Sequence, residues 1–142
     1  MKWQSVGQSA LNRRQKMIDE NSTKEDVLEA VKQKQDGFYL QYASEALKGD
    51  RDVVMEAVKY DGCSLQYASE ELRGDKEVLL KAAKNDWEAL QYASEDLRND
   101  REVVFAVVYW NYEALRYAGN DLLYEVACDW QDAMQQEVNN DN

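Results

Sequence analysis

The strings QYASEALKGD (residues 41–50), QYASEELRGD (66–75) and QYASEDLRND (91–100) begin 25 residues apart, and RYAGNDLLYE (116–125) continues the register. The stretches between them repeat too: RDVVMEAVKYDGCSL from Arg51, KEVLLKAAKNDWEAL from Lys76 and REVVFAVVYWNYEAL from Arg101. An earlier copy, KEDVLEAVKQKQDGFYL from Lys24, aligns once two residues are inserted near Gln33–Gln35. Ten-residue strings do not recur in register by chance, so the period decides the fold: four stacked supersecondary units, each too small to bury its own apolar face.

Each unit reads as two short helices. Asp50, Asp75 and Asp100 precede the first, where a carboxylate can accept the free backbone N–H groups, and Asp36, Asp61, Asp86 and Asn111 take the matching place before the second. Gly49, Gly74 and Asn99 follow the second helix and suit a left-handed cap. With Asp, Gly and Asn supplying the punctuation, the chain needs none of the proline it lacks. On a continuous second helix Leu65, Ala68 and Leu72 share one face and Tyr67 points well round from them. Tyr42, Tyr67, Tyr92 and Tyr117 are therefore expected between neighbouring units. The first helices contribute Val53, Val54, Ala57 and Val58, echoed by Val103, Val104, Val107 and Val108. Helices this short are marginal alone, so their stability must come from stacking.

The array needs ends. Residues 1–22 read as an N-terminal helical cap with Trp3, Val6, Ala10 and Met17 on one stripe; residues 24–123 hold the four hairpins; and 121–138 form a C-terminal capping helix through Leu123, Val126, Ala127, Trp130 and Met134. The expectation is one all-α domain over 1–142, a short α-solenoid of helix-turn-helix repeats.

Composition narrows the chemistry. The 142 residues include no histidine, which removes Ser-His-Asp and Cys-His nucleophiles, the HExxH zinc site and an imidazole pH switch. Cys63 and Cys128 stand apart, with no paired-cysteine metal motif, and are expected to be reduced thiols; no cofactor and no metal is expected. The net charge of −11 disfavours direct nucleic-acid binding, and neither a membrane span nor a signal peptide is legible, so a cytoplasmic protein without membrane partners is expected. The charge is uneven: residues 1–18 carry Lys2, Arg13, Arg14 and Lys16 and no acid, whereas from Tyr117 onward there are six acids and no base. Such ends could pair head to tail between molecules, as in a weak homo-oligomer, or stand solvated on a monomer.

At the repeated LQYASEELRxD string the chain resembles a family of tandem helical repeats catalogued as a domain of unknown function. The resemblance spans residues 24–123 and implies units like EVVLAAVKxxGxALQYASEELRxD, in proteins some of which are candidate host-directed effectors. It supplies no activity and no catalytic residue. The fourth copy departs from the pattern at Gly119, Asn120 and Leu123, which suits a terminal position.

Two surfaces stand out as candidate partner-binding sites. The first is a polar stripe: Gln41, Glu45 and Lys48, then Gln66, Glu70 and Arg73, then Gln91, Glu95 and Arg98. Duplication alone would repeat a solvated face with Glu-to-cation pairs three apart, worth about 0.2–0.5 kcal/mol each, and for the stripe by itself that plainer reading is preferred. The second is aromatic. Trp87 and Tyr112 replace Gly37 and Gly62 at the start of the second helix, close to Tyr109 and Trp110, with Trp87 expected exposed and Trp110 buried. Adjacent acids such as Glu70 and Glu71 point about 100° apart on a helix and make a poor general acid and base. The expected function is a non-catalytic module that binds a protein partner. The competing readings are an acidic mimic of nucleic acid that occupies a DNA- or RNA-binding protein and, behind it, a carboxylate-dependent enzyme.

Overall fold

A computed structural model describes residues 17–140, except for the side chains at 121, 130, 133, 134 and 137–140. Every regular element among the described residues is helical. The order is α1 (Lys24–Lys34), η1 (Gly37–Tyr42), α2 (Glu45–Lys48), α3 (Arg51–Tyr60), η2 (Gly62–Tyr67), α4 (Glu70–Arg73), α5 (Lys76–Asn85), η3 (Trp87–Tyr92), α6 (Glu95–Arg98), α7 (Arg101–Trp110), η4 (Tyr112–Tyr117) and α8 (Asn120–Asn140), where η marks a 3-10 helix. The all-α repeat fold is as expected.

Capping residues set the boundaries. Asp50 accepts from the backbone N–H groups of Asp52 and Val53, and Asp75 from those of Glu77 and Val78. Asp61 works in both directions. Its N–H closes α3 on the carbonyl of Ala57, and its carboxylate accepts from Cys63 N to open η2 at 3.0 Å. One extended residue thus makes the whole turn, and Asp86 and Asn111 repeat the device. Gln35, where the first copy carries its insertion, is the positive-φ non-glycine among the described residues, at 52°.

The second helix of each unit is not continuous. Ala68 is extended, and its N–H closes η2 on Leu65 O; Ser69 then caps a separate four-residue helix by accepting from Leu72 N at 3.3 Å. A straight helix would keep the Ser69 N–H inside its own ladder. With the chain broken there, that N–H donates to Lys48 O of the preceding repeat, Ser94 N to Arg73 O and Gly119 N to Arg98 O, at 3.0, 3.0 and 2.8 Å. These bonds satisfy carbonyls that so short a helix would leave free. Gly49, Gly74 and Asn99 are also not left-handed, with φ of −94°, −92° and −101° and ψ near zero. The next helix starts within two residues, so the chain turns in right-handed space.

The core is a column of small aliphatic side chains. Val53, Val54, Ala57 and Val58 of α3 and Val78, Leu79, Ala82 and Ala83 of α5 are buried, joined from the 3-10 helices by Leu40, Leu65 and Leu90. Stacking is close in both of the first two joints: an added Cβ at Gly37 would lie 2.1 Å from Ser64 Oγ and 2.4 Å from the Ala57 carbonyl oxygen, and one at Gly62 would lie 2.3 Å from the Ala82 carbonyl oxygen. At the N-terminal end Ile18 is buried, but Met17 is 86 % exposed and does not join the expected stripe. The other positions of that stripe, Trp3, Val6 and Ala10, lie outside the described residues, as do the side chains of Trp130 and Met134. On α8, Leu122 and Val126 are buried and Leu123 and Ala127 partly so. No helix among the described residues is long and apolar enough to cross a membrane.

Candidate functional site

The polar stripe follows the broken second helix. Glu45, Glu70 and Glu95 open the four-residue helices and are exposed, and each cation closes its helix half-buried. Lys48 pairs with Glu45 at 3.1 Å and Arg73 with Glu70 at 3.9 Å. The carbonyls of Lys48, Arg73 and Arg98 take the inter-repeat bonds, and Nε of Arg73 and of Arg98 is buried without a hydrogen-bond partner, as is Nε2 of Gln41. The stems of these cations therefore lie in the joint between repeats. Gln66 is exposed and donates to the carbonyl of Cys63, while Gln91 is half-buried. The stripe combines free glutamates with cations partly committed to stacking.

A second ladder shares the 25-residue period. The cation at the first position of each long helix reaches acids of the next one, and for Lys24, Arg51 and Lys76 these are the acids that open it. Lys24 bridges Asp50 and Asp52 at 2.9 and 2.8 Å, Arg51 bridges Asp75 and Glu77, Lys76 reaches Asp100 and Glu102 at 3.8 and 2.8 Å, and Arg101 bridges Glu125 and Asp129 of α8. The Lys24 ammonium hydrogen-bonded to Asp50 holds that carboxyl below the usual carboxylate range. At Asp75 burial pushes upward, but the N–H of Val78 and the Arg51 guanidinium outweigh it and the net shift is down. Hydrogen bonds to Asp52 and Asp50 raise Lys24, and the bond to Glu102 raises Lys76. Sequence reasoning missed this ladder, although its signal lay in the recurring DRD, DKE and DRE strings at 50–52, 75–77 and 100–102.

Aromatic residues divide by repeat. Phe38 meets Tyr42 and, in the next unit, Tyr67 edge-on at 6.1 and 5.9 Å. Trp87 stacks on Tyr117 of the following unit at 5.9 Å and 25°. The expectations for the two indoles are reversed: Trp87 is partly buried, because the next repeat brings Tyr117 over it, while Trp110 is 45 % exposed at the end of α7. Tyr42, 50 % exposed in the first unit, also lies less covered than inter-repeat packing implied; Tyr67, Tyr92 and Tyr117 are packed against the core as expected.

The last repeat keeps its large rings at the surface. Phe105 is 38 %, Tyr109 77 %, Tyr112 42 % and Tyr124 80 % exposed. Phe105 occupies the position of Met55 and Leu80, which pack partly buried on the core, and Tyr109 that of Lys59 and Lys84. A groove of about 380 Å³ runs between η4 and α8, lined by Tyr112, Leu115, Arg116, Leu123 and Tyr124 among others. Glu113 stands on its wall. Tyr112 was marked from the sequence; Phe105 and Tyr124 were not.

A third cluster joins two turns. One ligand atom from each of Asp61, Cys63 and Asp86 lies within 4.8 Å of the others. The polar groups have assigned roles: Asp61 accepts from Cys63 N and Ser64 Oγ, and Asp86 accepts from Glu88 N and, at 3.1 Å, from the Cys63 thiol. Both cysteines are free, Cys63 half-buried and Cys128 exposed.

The chain matches the model of a domain of unknown function, DUF4116, over residues 23–73 and again over 75–123. It belongs to this family. Each matched stretch covers two of the 25-residue units, so the family module is a pair of hairpins and the chain holds two such modules. No curated protein and no solved structure gives a significant match to the chain.

Proposed function

We propose that this member of the DUF4116 family is a non-catalytic protein-binding module that docks its partner on the aromatic end formed by α7, η4 and α8. The observation carrying this reading is the concentration of exposed rings in one repeat: Tyr109 and Trp110 at the end of α7 are 77 % and 45 % exposed, and Tyr124, 80 % exposed, lines a groove with Tyr112, Leu115 and Leu123. Tyrosine and tryptophan supply large contact area at low conformational cost and dominate interface hot spots. The helix-capping roles of Asp50, Asp61, Asp75, Asp86 and Asp100 support a structural rather than catalytic use of the acids. The acidic-mimic reading has less support, since the ladder cations lie against many of the carboxylates.

Affinity capture from a native lysate tests the proposal. Tyr109→Ala combined with Tyr124→Ala should abolish capture of the bound protein while leaving the helical circular dichroism unchanged. Charge reversal of Glu45, Glu70 and Glu95 to Lys should leave capture intact. Loss of the partner in the stripe variant with retention in the tyrosine variant overturns the choice of surface.

A further inference from the structure

We propose that α8 is a built-in terminator of the array: its second half is a fifth long helix that its own residues keep from stacking as one. The first observation is a missing break. In the inner units a four-residue helix ends at Lys48, Arg73 or Arg98. Gly49–Asp50, Gly74–Asp75 or Asn99–Asp100 then turns the chain into the next long helix. The corresponding pair in the fourth unit is Tyr124–Glu125, and α8 runs through it unbroken from Asn120 to Asn140.

The second observation is an exchange of faces. Helix α3 buries Val53, Val54, Ala57 and Val58, and α7 buries Val103, Val104, Val107 and Val108, while Arg51 and Arg101 at their first positions are exposed. In the same 25-residue register the buried row after residue 125 would be Cys128, Asp129, Asp132 and Ala133, and the exposed first position Val126. The structure has the opposite arrangement. Val126 is fully buried, four residues after the buried Leu122, whereas Cys128 and Asp132 are exposed and Asp129 pairs with Arg101.

Both departures act in one direction. Without the Gly–Asp or Asn–Asp punctuation the helix keeps the register of Leu122, and residue 126 follows onto the same face one turn later. Turning it into the inner register would place Asp129 and Asp132 where α3, α5 and α7 carry valine, leucine or alanine, and two carboxylates would enter an aliphatic column. Helix α8 therefore packs straight on α7 and η4, and the valine row of α7 is buried without a fifth hairpin.

Alkylation of Cys128 by iodoacetamide in the full chain reads which face is buried, because Cys128 shares the register of the buried Val53, Val78 and Val103. Restoring the inner pattern with Tyr124→Gly, Glu125→Asp, Val126→Arg, Asp129→Val and Asp132→Ala should slow Cys128 at least about tenfold, with helical circular dichroism retained. Tyr124→Gly with Glu125→Asp alone should leave Cys128 at the wild-type rate, because the aspartates remain. Protection in that two-site variant, or a folded five-site variant with Cys128 still fast, overturns the proposal. A second measurement needs no rebuilt helix and stands if the five-site variant fails to fold. In a Cys128→Ser chain, Val126→Cys should react at least about tenfold more slowly than Asp132→Cys. Equal rates or the reverse order overturn the proposal.

Discussion

At the residue scale, Cys63 shows how a repeat position acquires a local property. It takes the place of Phe38 in the first unit and Glu88 in the third, and its thiol donates to Asp86 across the joint. Burial first, then the hydrogen bond to Asp86, push its pKa up to about 12. At pH 8 only about one molecule in ten thousand then carries the thiolate, which is the species that reacts. Alkylation with iodoacetamide, followed by mass spectrometry, should label the exposed Cys128 first and Cys63 at least about a hundredfold more slowly than in the unfolded chain. Equal native-state rates at the two cysteines would contradict the Cys63–Asp86 bond. Nothing in the spacing of the cysteines announces this difference, because Asp86 lies 23 residues away and meets Cys63 only through stacking.

At the scale of elements, the informative pair is Asn99 and Gly119. Gly49 lies against Ser69 and Gly74 against Ser94, each with room for a Cβ at 3.8 and 3.6 Å from the serine Oγ. In the last joint both residues change: Asn99 replaces the glycine and Gly119 the serine, and a Cβ on Gly119 would fall 1.6 Å from Asn99 Oδ1. Two departures that look independent in the sequence are one exchange of volume. Asn99→Gly and Gly119→Ser should therefore be coupled, the double variant being about 0.5–1.5 kcal/mol more stable than the two single changes imply. Urea unfolding of the four proteins measures that term, and additive effects would show that the side chains do not share the space. Element boundaries were legible from the Asp and Asn caps. The break at Ala68–Ser69 was not, because it depends on the free carbonyl of Lys48 in another repeat.

At the scale of the whole molecule, the ladder from Lys24 to Asp129 ties every long helix to its successor. Exposed ion pairs of this kind are individually weak and screened by salt, so their effect shows in conditions rather than in any one deletion. Asp50 and Asp75 have lowered values in the folded state, so the stability they contribute is present above the ordinary carboxylate range and is lost as pH falls through those lowered values, below about pH 4. Lys24 and Lys76 are raised, so their contribution is present through neutral pH and is lost at alkaline pH beyond the usual lysine range. Thermal unfolding should show a plateau between these limits and a falling acid limb. Arg51→Gln should lower the Tm in 0.05 M NaCl, lose most of that effect in 1 M NaCl, and flatten the acid limb because Asp75 loses its guanidinium. A Tm deficit independent of salt would assign Arg51 a packing role instead.

The sequence by itself determined the period, the helical class and the capped ends of the elements, because those depend on side chains within a few residues of the backbone groups they satisfy. It also marked the leucine of each LQYA or LRYA string as core. Tertiary structure decided which large residues stay at the surface. Trp87 is covered because a following unit delivers Tyr117, whereas Tyr109 stands at a position that is exposed in the inner repeats as well, at Lys59 and Lys84, and Tyr124 is exposed on α8 itself. Exposure in a stacked array is a property of the neighbour, and the residues that create it lie about a full repeat away.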